Sequence, residues 1–125
     1  MIWELLVGMI LAGNEAHAHH SFAAEFDAKA PVSLRGKVTK VRLVNPHSWI
    51  YLHEGKTGKD WMVEAGTPNT LLRAGVTQDT LKAGTGIVVK GFQSKDHRCT
   101  PECKANGQSM TLPTGEKLFL GSSAP

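Results

Sequence analysis

Between Val32 and Val44 polar and apolar residues alternate, which predicts a half-buried β-strand because neighbouring side chains of a strand point to opposite faces. Gly36 interrupts this run and predicts a bulge or bend. Further on, an aromatic and β-branched run from Trp49 to His53 is joined by the turn Gly55-Lys56-Thr57-Gly58 to a second run, Asp60 to Glu64. Two such runs around a glycine turn are typical of a β-hairpin.

A short helix is predicted directly after the hairpin. Thr67 is a suitable N-cap, Pro68 fits the first helical position, and Gly75 ends the element. Residues Thr77 to Leu81 predict a second short turn. The next strand is predicted over Ile87 to Phe92.

The rest of the chain predicts a long loop and a final hairpin. A polar loop containing two cysteines is expected to run as far as Gly107. Strands are predicted at Met110 to Leu112 and Lys117 to Leu120, with Pro113-Thr114-Gly115 between them. The composition of residues 121–125 predicts a loose tail.

This order of elements predicts a mainly β protein with one short helix, folded as an OB-like Greek-key small barrel. A small antiparallel β-sandwich is the alternative. In an OB topology the loop joining the first two strands and the loop joining the last two flank the same binding face, and the final hairpin takes the place of the last strand here. Here these loops contain Asn45-Pro46-His47-Ser48 and the segment from His97 to Cys103.

The N-terminus predicts a signal peptide over residues 1–18. Its apolar run, Ile2 to Ala12, is too short to span a bilayer and is followed by Ala16-His17-Ala18, an A-x-A cleavage pattern. No Lys or Arg precedes the run, so we expect the given start to lie inside a longer signal. Cleavage would leave a single periplasmic or secreted domain over residues 19–120. The alternative is a buried N-terminal helix of a cytosolic protein.

The charge pattern argues against nucleic acid as a partner. The chain has a formal net charge of +3, and removing residues 1–18 raises it to +5 because Glu4 and Glu15 are lost without any Lys or Arg. The basic residues are scattered singly along predicted strands and loops, which is typical of solvated faces. We also expect no membrane span after cleavage.

The two cysteines, Cys99 and Cys103, are close in sequence, and in an oxidising compartment such a pair is expected to form a disulfide. A soft metal site is the alternative, with the two thiolates and His97 as ligands.

Three motifs carry a family resemblance, and together they extend over the predicted mature domain. They are His19-His20-Ser21-Phe22-Ala23-Ala24-Glu25-Phe26-Asp27, Asn45-Pro46-His47-Ser48-Trp49-Ile50 and Gly66-Thr67-Pro68-Asn69-Thr70-Leu71-Leu72-Arg73. They resemble those of a family of small exported bacterial proteins catalogued only as a domain of unknown function. The resemblance implies a periplasmic β-domain without an assigned activity.

The histidines near the predicted N-terminus suggest copper. A chain that begins at His19 carries a free α-amine beside an imidazole, and this pair of nitrogens suits Cu(II), which prefers tetragonal N and O ligands. His20 or His47 would supply a third nitrogen, with His97 or the thiols as lesser candidates. Cleavage after Ala16 would instead place a histidine third from the amine, which also binds Cu(II) or Ni(II).

Two hypotheses of function follow. The first is a periplasmic protein that binds copper or a related metal through His19, His20, His47 and His97. The second is a non-metal OB-like module that binds a small ligand or an envelope protein. No catalytic residues are predicted: Ser21 and Ser48 each adjoin a histidine, but adjacent side chains on a strand point apart.

We interpret three further residues as structural. His53 is expected to face solvent at the end of its strand, and Trp49 and Trp61 are expected to pack in the core or across the hairpin.

Overall fold

The computed structural model describes residues 21–125 of the chain. Residues 21–25 are helical and lead into the first strand, and a second short helix, Pro68–Arg73, lies between the third and fourth strands. The strands are β1 (Phe26–Arg42), β2 (Trp49–Glu54), β3 (Asp60–Glu64), β4 (Gly86–Ser94), β5 (Cys103–Thr111) and β6 (Lys117–Phe119). In this part of the chain no helix is long and apolar enough to cross a bilayer.

Five of the strands form a closed ring. Strand β1 pairs with β2 and β4, β2 pairs with β3, and β4 pairs with β5, all antiparallel. A parallel pairing of β3 with β5 closes the ring, and β6 extends it antiparallel to β5. This order of pairings, with a helix between β3 and β4, confirms the predicted OB-like topology rather than a sandwich.

The core fills the inside of the ring. Alternate residues of every long strand point inward and are fully or almost fully buried: Leu34, Val38, Ile50, Leu52, Val63, Val89, Ala105 and Met110. Trp61 also belongs to this core, which confirms its structural interpretation. Leu71 of the helix is completely buried against the same cluster. Burial of this apolar surface is the main force that holds the ring together.

The helix Pro68–Arg73 forms for the reasons that its sequence predicts. The Thr67 side chain accepts a hydrogen bond from the Thr70 backbone N–H at 3.2 Å, and Pro68 occupies the first turn. After Ala74, Gly75 has a φ of 89°, a left-handed conformation that glycine adopts without a steric penalty. The predicted turn after it is also present, since Leu81 N donates to Thr77 O at 3.2 Å.

Two details of β1 differ from the prediction. The strand begins at Phe26 rather than Val32. The irregularity in its pairing with β2 lies between Val38 and Lys40, not at Gly36. Gly36 instead permits close approach of two strands, because a Cβ at this position would collide with the backbone carbonyl of His53.

The prediction of a loop as far as Gly107 was wrong. Strand β5 begins at Cys103, with Cys103 and Ala105 buried in the core. This strand was not predicted because it consists of small and polar residues; Asn106 and Gly107 have low β-propensity and are typical of turns. The final turn at Pro113 to Gly115 and the strand after it agree with the prediction.

Candidate functional site

A cluster of polar residues lies on the outer face of the ring, where the β1–β2 loop meets β3 and β5. Glu64 is paired with Trp49 on one side and with Asn106 on the other, so the three side chains project from the same face. His47 lies beside Glu64. We call His47, Glu64 and Asn106 the Glu64 site.

The Glu64 carboxylate is desolvated, and among the described residues its neighbour of potential positive charge is the His47 imidazole. Its Oε2 atom is 3.9 Å from His47 Nδ1, which is longer than a hydrogen bond. Glu64 is 4% exposed, whereas about half of the His47 side chain is exposed. Burial raises the pKa of Glu64; the charges of His47 and Lys104 act against this rise, and Glu25 adds to it. A cation placed here would therefore be stabilised by the carboxylate.

Asn106 brings an unpaired polar atom to the same place. It is completely buried, and its Nδ2 atom has no hydrogen-bond partner among residues 21–125. Its Oδ1 atom accepts a hydrogen bond from Gln108 Nε2. Buried polar groups are normally paired, and the unpaired atom here is an N–H donor, which a cation would not satisfy.

The start of the described chain lies next to the Glu64 site. Glu25 Oε2 is 3.7 Å from Lys104 Nζ, and this ammonium group is 5.3 Å from the centre of the Trp49 ring. The Glu25 carbonyl accepts a hydrogen bond from Lys95 N at 2.9 Å. Residues 21–25 are thereby fixed beside β2 and β5. His19 and His20, two of the predicted ligands, lie outside the described residues and immediately before this segment.

His97 is held by another carboxylate. Its Nε2 atom lies 3.2 Å from Asp27 Oδ2, and its backbone N–H donates to Ser94 O at 3.1 Å. The pKa of Asp27 is lowered first by the Lys29 backbone N–H and then by the hydrogen bond with His97. His97 therefore ties the β4–β5 loop to the start of β1.

Within residues 21–125, no three or more His, Cys, Asp or Glu side chains form a group that could hold a metal ion. The structure thus brings His47 to Glu64 and His97 to Asp27, without joining the two histidines in one metal cluster of described residues.

Cys99 and Cys103 form the predicted disulfide. The alternative, a metal site made of two thiolates, is therefore wrong, because both sulfur atoms are engaged in the bond. Cys103 is buried in the core and Cys99 packs against it half-buried. The disulfide closes the end of the β4–β5 loop at the start of β5.

The remaining aromatic and histidine residues of the hairpin have structural partners. His53 is exposed, as expected, and its Nδ1 atom lies 2.7 Å from Asp60 Oδ1. The Trp61 indole N–H donates to Glu54 Oε1 at 3.2 Å from its place in the core. Trp49 is half-buried on the outer face and faces Glu64 rather than Trp61 across the hairpin.

Sequence reasoning missed Lys104 and Asn106, because it assigned both to a loop. The signal that would have found them is the alternation of small Cys103, Ala105 and Gly107 with polar Lys104, Asn106 and Gln108. No sequence pattern places Glu25 and Glu64 near each other. Their proximity depends on the closure of the ring by β3 and β5.

Comparison with known proteins agrees with the resemblance carried by the three motifs. No curated protein matches the chain. A family model described as a family of unknown function (DUF6152) matches residues 8–102, which is most of the chain. The chain therefore belongs to this family of unknown function.

Proposed function

We propose that the protein is exported to the periplasm and binds Cu(II) at the Glu64 site, with ligands from His47, Glu64 and the histidines that precede Ser21. The observation that carries this proposal is the buried Glu64 carboxylate, whose neighbouring imidazole is too distant for a hydrogen bond. Leaving a buried carboxylate without a close cation is costly, and a metal ion between the two groups would remove that cost.

The distance between the two donors fits a bridging ion. Nitrogen and oxygen ligands lie about 2.0–2.2 Å from a first-row ion such as zinc, so two donors on one ion are separated by at most about 4 Å. His47 Nδ1 and Glu64 Oε2 are 3.9 Å apart. Imidazole nitrogen and carboxylate oxygen are ligands that suit Cu(II).

Chain length supports a contribution from the N-terminal histidines. Because residues 21–25 are helical, Ser21 is about 6 Å along the axis from Glu25. His20 and His19 add at most about 7 Å of extended chain beyond Ser21. Glu25 is near enough to Glu64 for its charge to raise the pKa of Glu64. The proposal therefore assigns a further nitrogen ligand to His19 or His20.

In this proposal the remaining ligand is the α-amine that is freed when the signal peptide is cleaved during export. Cleavage after Ala18 would free an α-amine on His19, next to an imidazole that is already a candidate ligand. Mass spectrometry of the protein recovered from the periplasm tests this step: a chain that begins at His19 is expected, and a chain that retains residues 1–18 would contradict it.

Copper titration followed by EPR tests the site itself. His47→Ala and Glu64→Gln are each expected to weaken Cu(II) binding about tenfold or more and to change the spectrum, because each removes a ligand. His53→Ala is the matched control, since His53 is also a half-exposed histidine beside a carboxylate. Equal affinities for the parent protein and His47→Ala would refute the proposal.

A non-metal binding module is the second candidate, and the outer face of the hairpin favours it. Trp49, Tyr51 and Met62 are half-buried there, and Lys40 Nζ lies 4.3 Å from the centre of the Tyr51 ring. Such a face suits a small ligand with an apolar surface or an envelope partner. The same EPR titration separates the candidates, because this function requires no change in copper affinity on removal of His47.

A further inference from the structure

A groove of about 900 Å³ lies at the other end of the ring from the Glu64 site. Strand β2 connects the two regions: Trp49 at its start adjoins Glu64, while His53 and Glu54 at its end line the groove. The length of this strand separates them by about 17 Å. The groove is therefore independent of the proposed copper site.

Three basic residues, Arg35, Lys37 and Lys56, surround the groove, and we call it the cationic groove. All three side chains are exposed, and none forms an ion pair with another residue in the described part of the chain. Glu54 is the acidic residue of the lining, and its Oε1 atom already accepts hydrogen bonds from Thr57 and Trp61. The lining thus has three basic side chains against one carboxylate, which leaves an excess of positive charge.

The floor of the cationic groove is apolar. Val88 and Leu112 are half-buried in it, with Ile87 beneath and Pro113 exposed at the edge. Gly86 also lines the groove, and a Cβ at this position would meet no atom within 4 Å. An apolar floor inside a cationic rim is complementary to a molecule with an anionic head and an apolar body.

We propose that the cationic groove binds a long-chain carboxylate of the fatty-acid class. The head would lie against Arg35, Lys37 and Lys56, and the chain would cover Val88 and Leu112. An inorganic anion would leave the apolar floor in contact with water, and an uncharged alkane would not neutralise the rim. Only a ligand with both parts uses the whole groove.

Binding is measured by the fluorescence of a fatty acid that carries an environment-sensitive dansyl group at its chain end. Unlabelled compounds are then added to test whether they displace this probe. Dodecanoate is expected to displace the probe, whereas acetate and dodecanol at the same concentration are not. The triple variant Arg35→Gln, Lys37→Gln, Lys56→Gln is expected to weaken probe binding about tenfold, because three exposed charge contacts are lost. Salt is expected to weaken binding to the parent protein more than to this variant.

The matched control neutralises three exposed lysines outside the groove, in Lys29→Gln, Lys82→Gln, Lys95→Gln. It changes the net charge equally and is expected to bind the probe like the parent. Equal loss of binding in the two triple variants would show a net-charge effect and would overturn the proposal. A parent protein that does not bind the probe would also overturn it.

A separate variant tests the apolar floor without altering charge. Val88→Thr keeps the size and branching of the side chain but places a hydroxyl in the floor, and it is expected to weaken probe binding while the melting temperature confirms folding. Val32→Thr, on β1 and outside the groove, is its control. Binding of phosphatidylglycerol vesicles without binding of the monomeric probe would overturn the proposal in favour of a membrane-surface role.

Discussion

The Glu64 site and the cationic groove lie at opposite ends of one strand, and they treat charge in opposite ways. At the Glu64 site an acidic side chain is 4% exposed and shares its face with an unpaired buried amide. At the cationic groove three basic side chains extend into solvent around an apolar floor. The free energy of a buried charge depends strongly on the few groups in contact with it, whereas an exposed charge is screened by water and salt.

The comparison shows why the two regions are assigned different ligands. A desolvated carboxylate with a neighbouring imidazole favours a small, strongly charged ion that contacts both groups. A solvated cationic rim selects an anion only in combination with the apolar surface below it. Substitutions at the Glu64 site should therefore change stability and affinity together, while charge substitutions at the groove should change affinity alone.

The largest effect on stability is expected from a glycine that lines the groove, rather than from the charged side chains of its rim. Gly36→Ala should lower the free energy of unfolding by about 3 kcal/mol or more, because the new methyl group would overlap the His53 carbonyl. Gly86→Ala, in the same groove, should change it by less than about 0.5 kcal/mol, since no atom lies near that position. Urea denaturation measures both, and equal stabilities for the two variants would contradict the close approach of β1 and β2.

A smaller loss is expected when the disulfide is removed. Cys99→Ala with Cys103→Ala should destabilise the fold by about 2 kcal/mol, because the bond closes a short loop with a sequence separation of 4. Copper affinity should stay unchanged, since the bonded sulfurs are not ligands in the proposed site. Thermal denaturation and copper titration of the same sample check the two statements, and a marked loss of copper affinity would show that the loop contributes to the site.

These two predictions concern features that the sequence revealed to different degrees. The disulfide follows from the spacing and context of Cys99 and Cys103, and the helix from Thr67 and Pro68, because both depend on local chemistry. The role of Gly36 did not follow, because the carbonyl that it accommodates comes from another strand. The OB-like order was predictable from the alternation of apolar residues, as most strands of the ring show it.

The candidate site was predictable only in part for the same reason. His47 was recognised by its motif and its place in the β1–β2 loop. Its partner Glu64 is the last residue of a strand, and an acidic residue at such a position is ordinarily expected to be exposed to solvent. Only the packing of the ring shows that Glu64 is buried. Asn106 was hidden because β5 is built of small and polar residues rather than β-branched ones.

Glu64→Gln should raise the stability of the metal-free protein at neutral pH by about 1–2 kcal/mol, because it removes a buried charge and keeps the shape of the side chain. The folded protein holds the pKa of Glu64 above its ordinary value, so ionisation disfavours the fold. The advantage of the variant should therefore shrink as the pH falls through that raised pKa towards the ordinary value. Urea denaturation across this range checks it; an advantage independent of pH would contradict the burial effect.

The smallest effect on stability is expected at the rim of the groove. Replacing Arg35, Lys37 and Lys56 with Gln should change the free energy of unfolding by less than about 0.5 kcal/mol, because these exposed side chains form no ion pairs with other described residues. Comparison with Glu64→Gln by urea denaturation sharpens the contrast between the two ends. A loss as large as that of the disulfide variant would mean that the rim stabilises the fold.

The central claim is that His47 and the N-terminal histidines bind the same ion, and a double-mutant cycle tests it most directly. Cu(II) dissociation constants are measured for the parent protein, for His47→Ala, for His19→Ala with His20→Ala, and for the combined variant. Ligands of one ion are coupled, so the effect of His47→Ala should be about tenfold smaller when the N-terminal histidines are absent. If the effect of His47→Ala is the same in both backgrounds, the histidines do not share a site and the proposed copper centre is wrong.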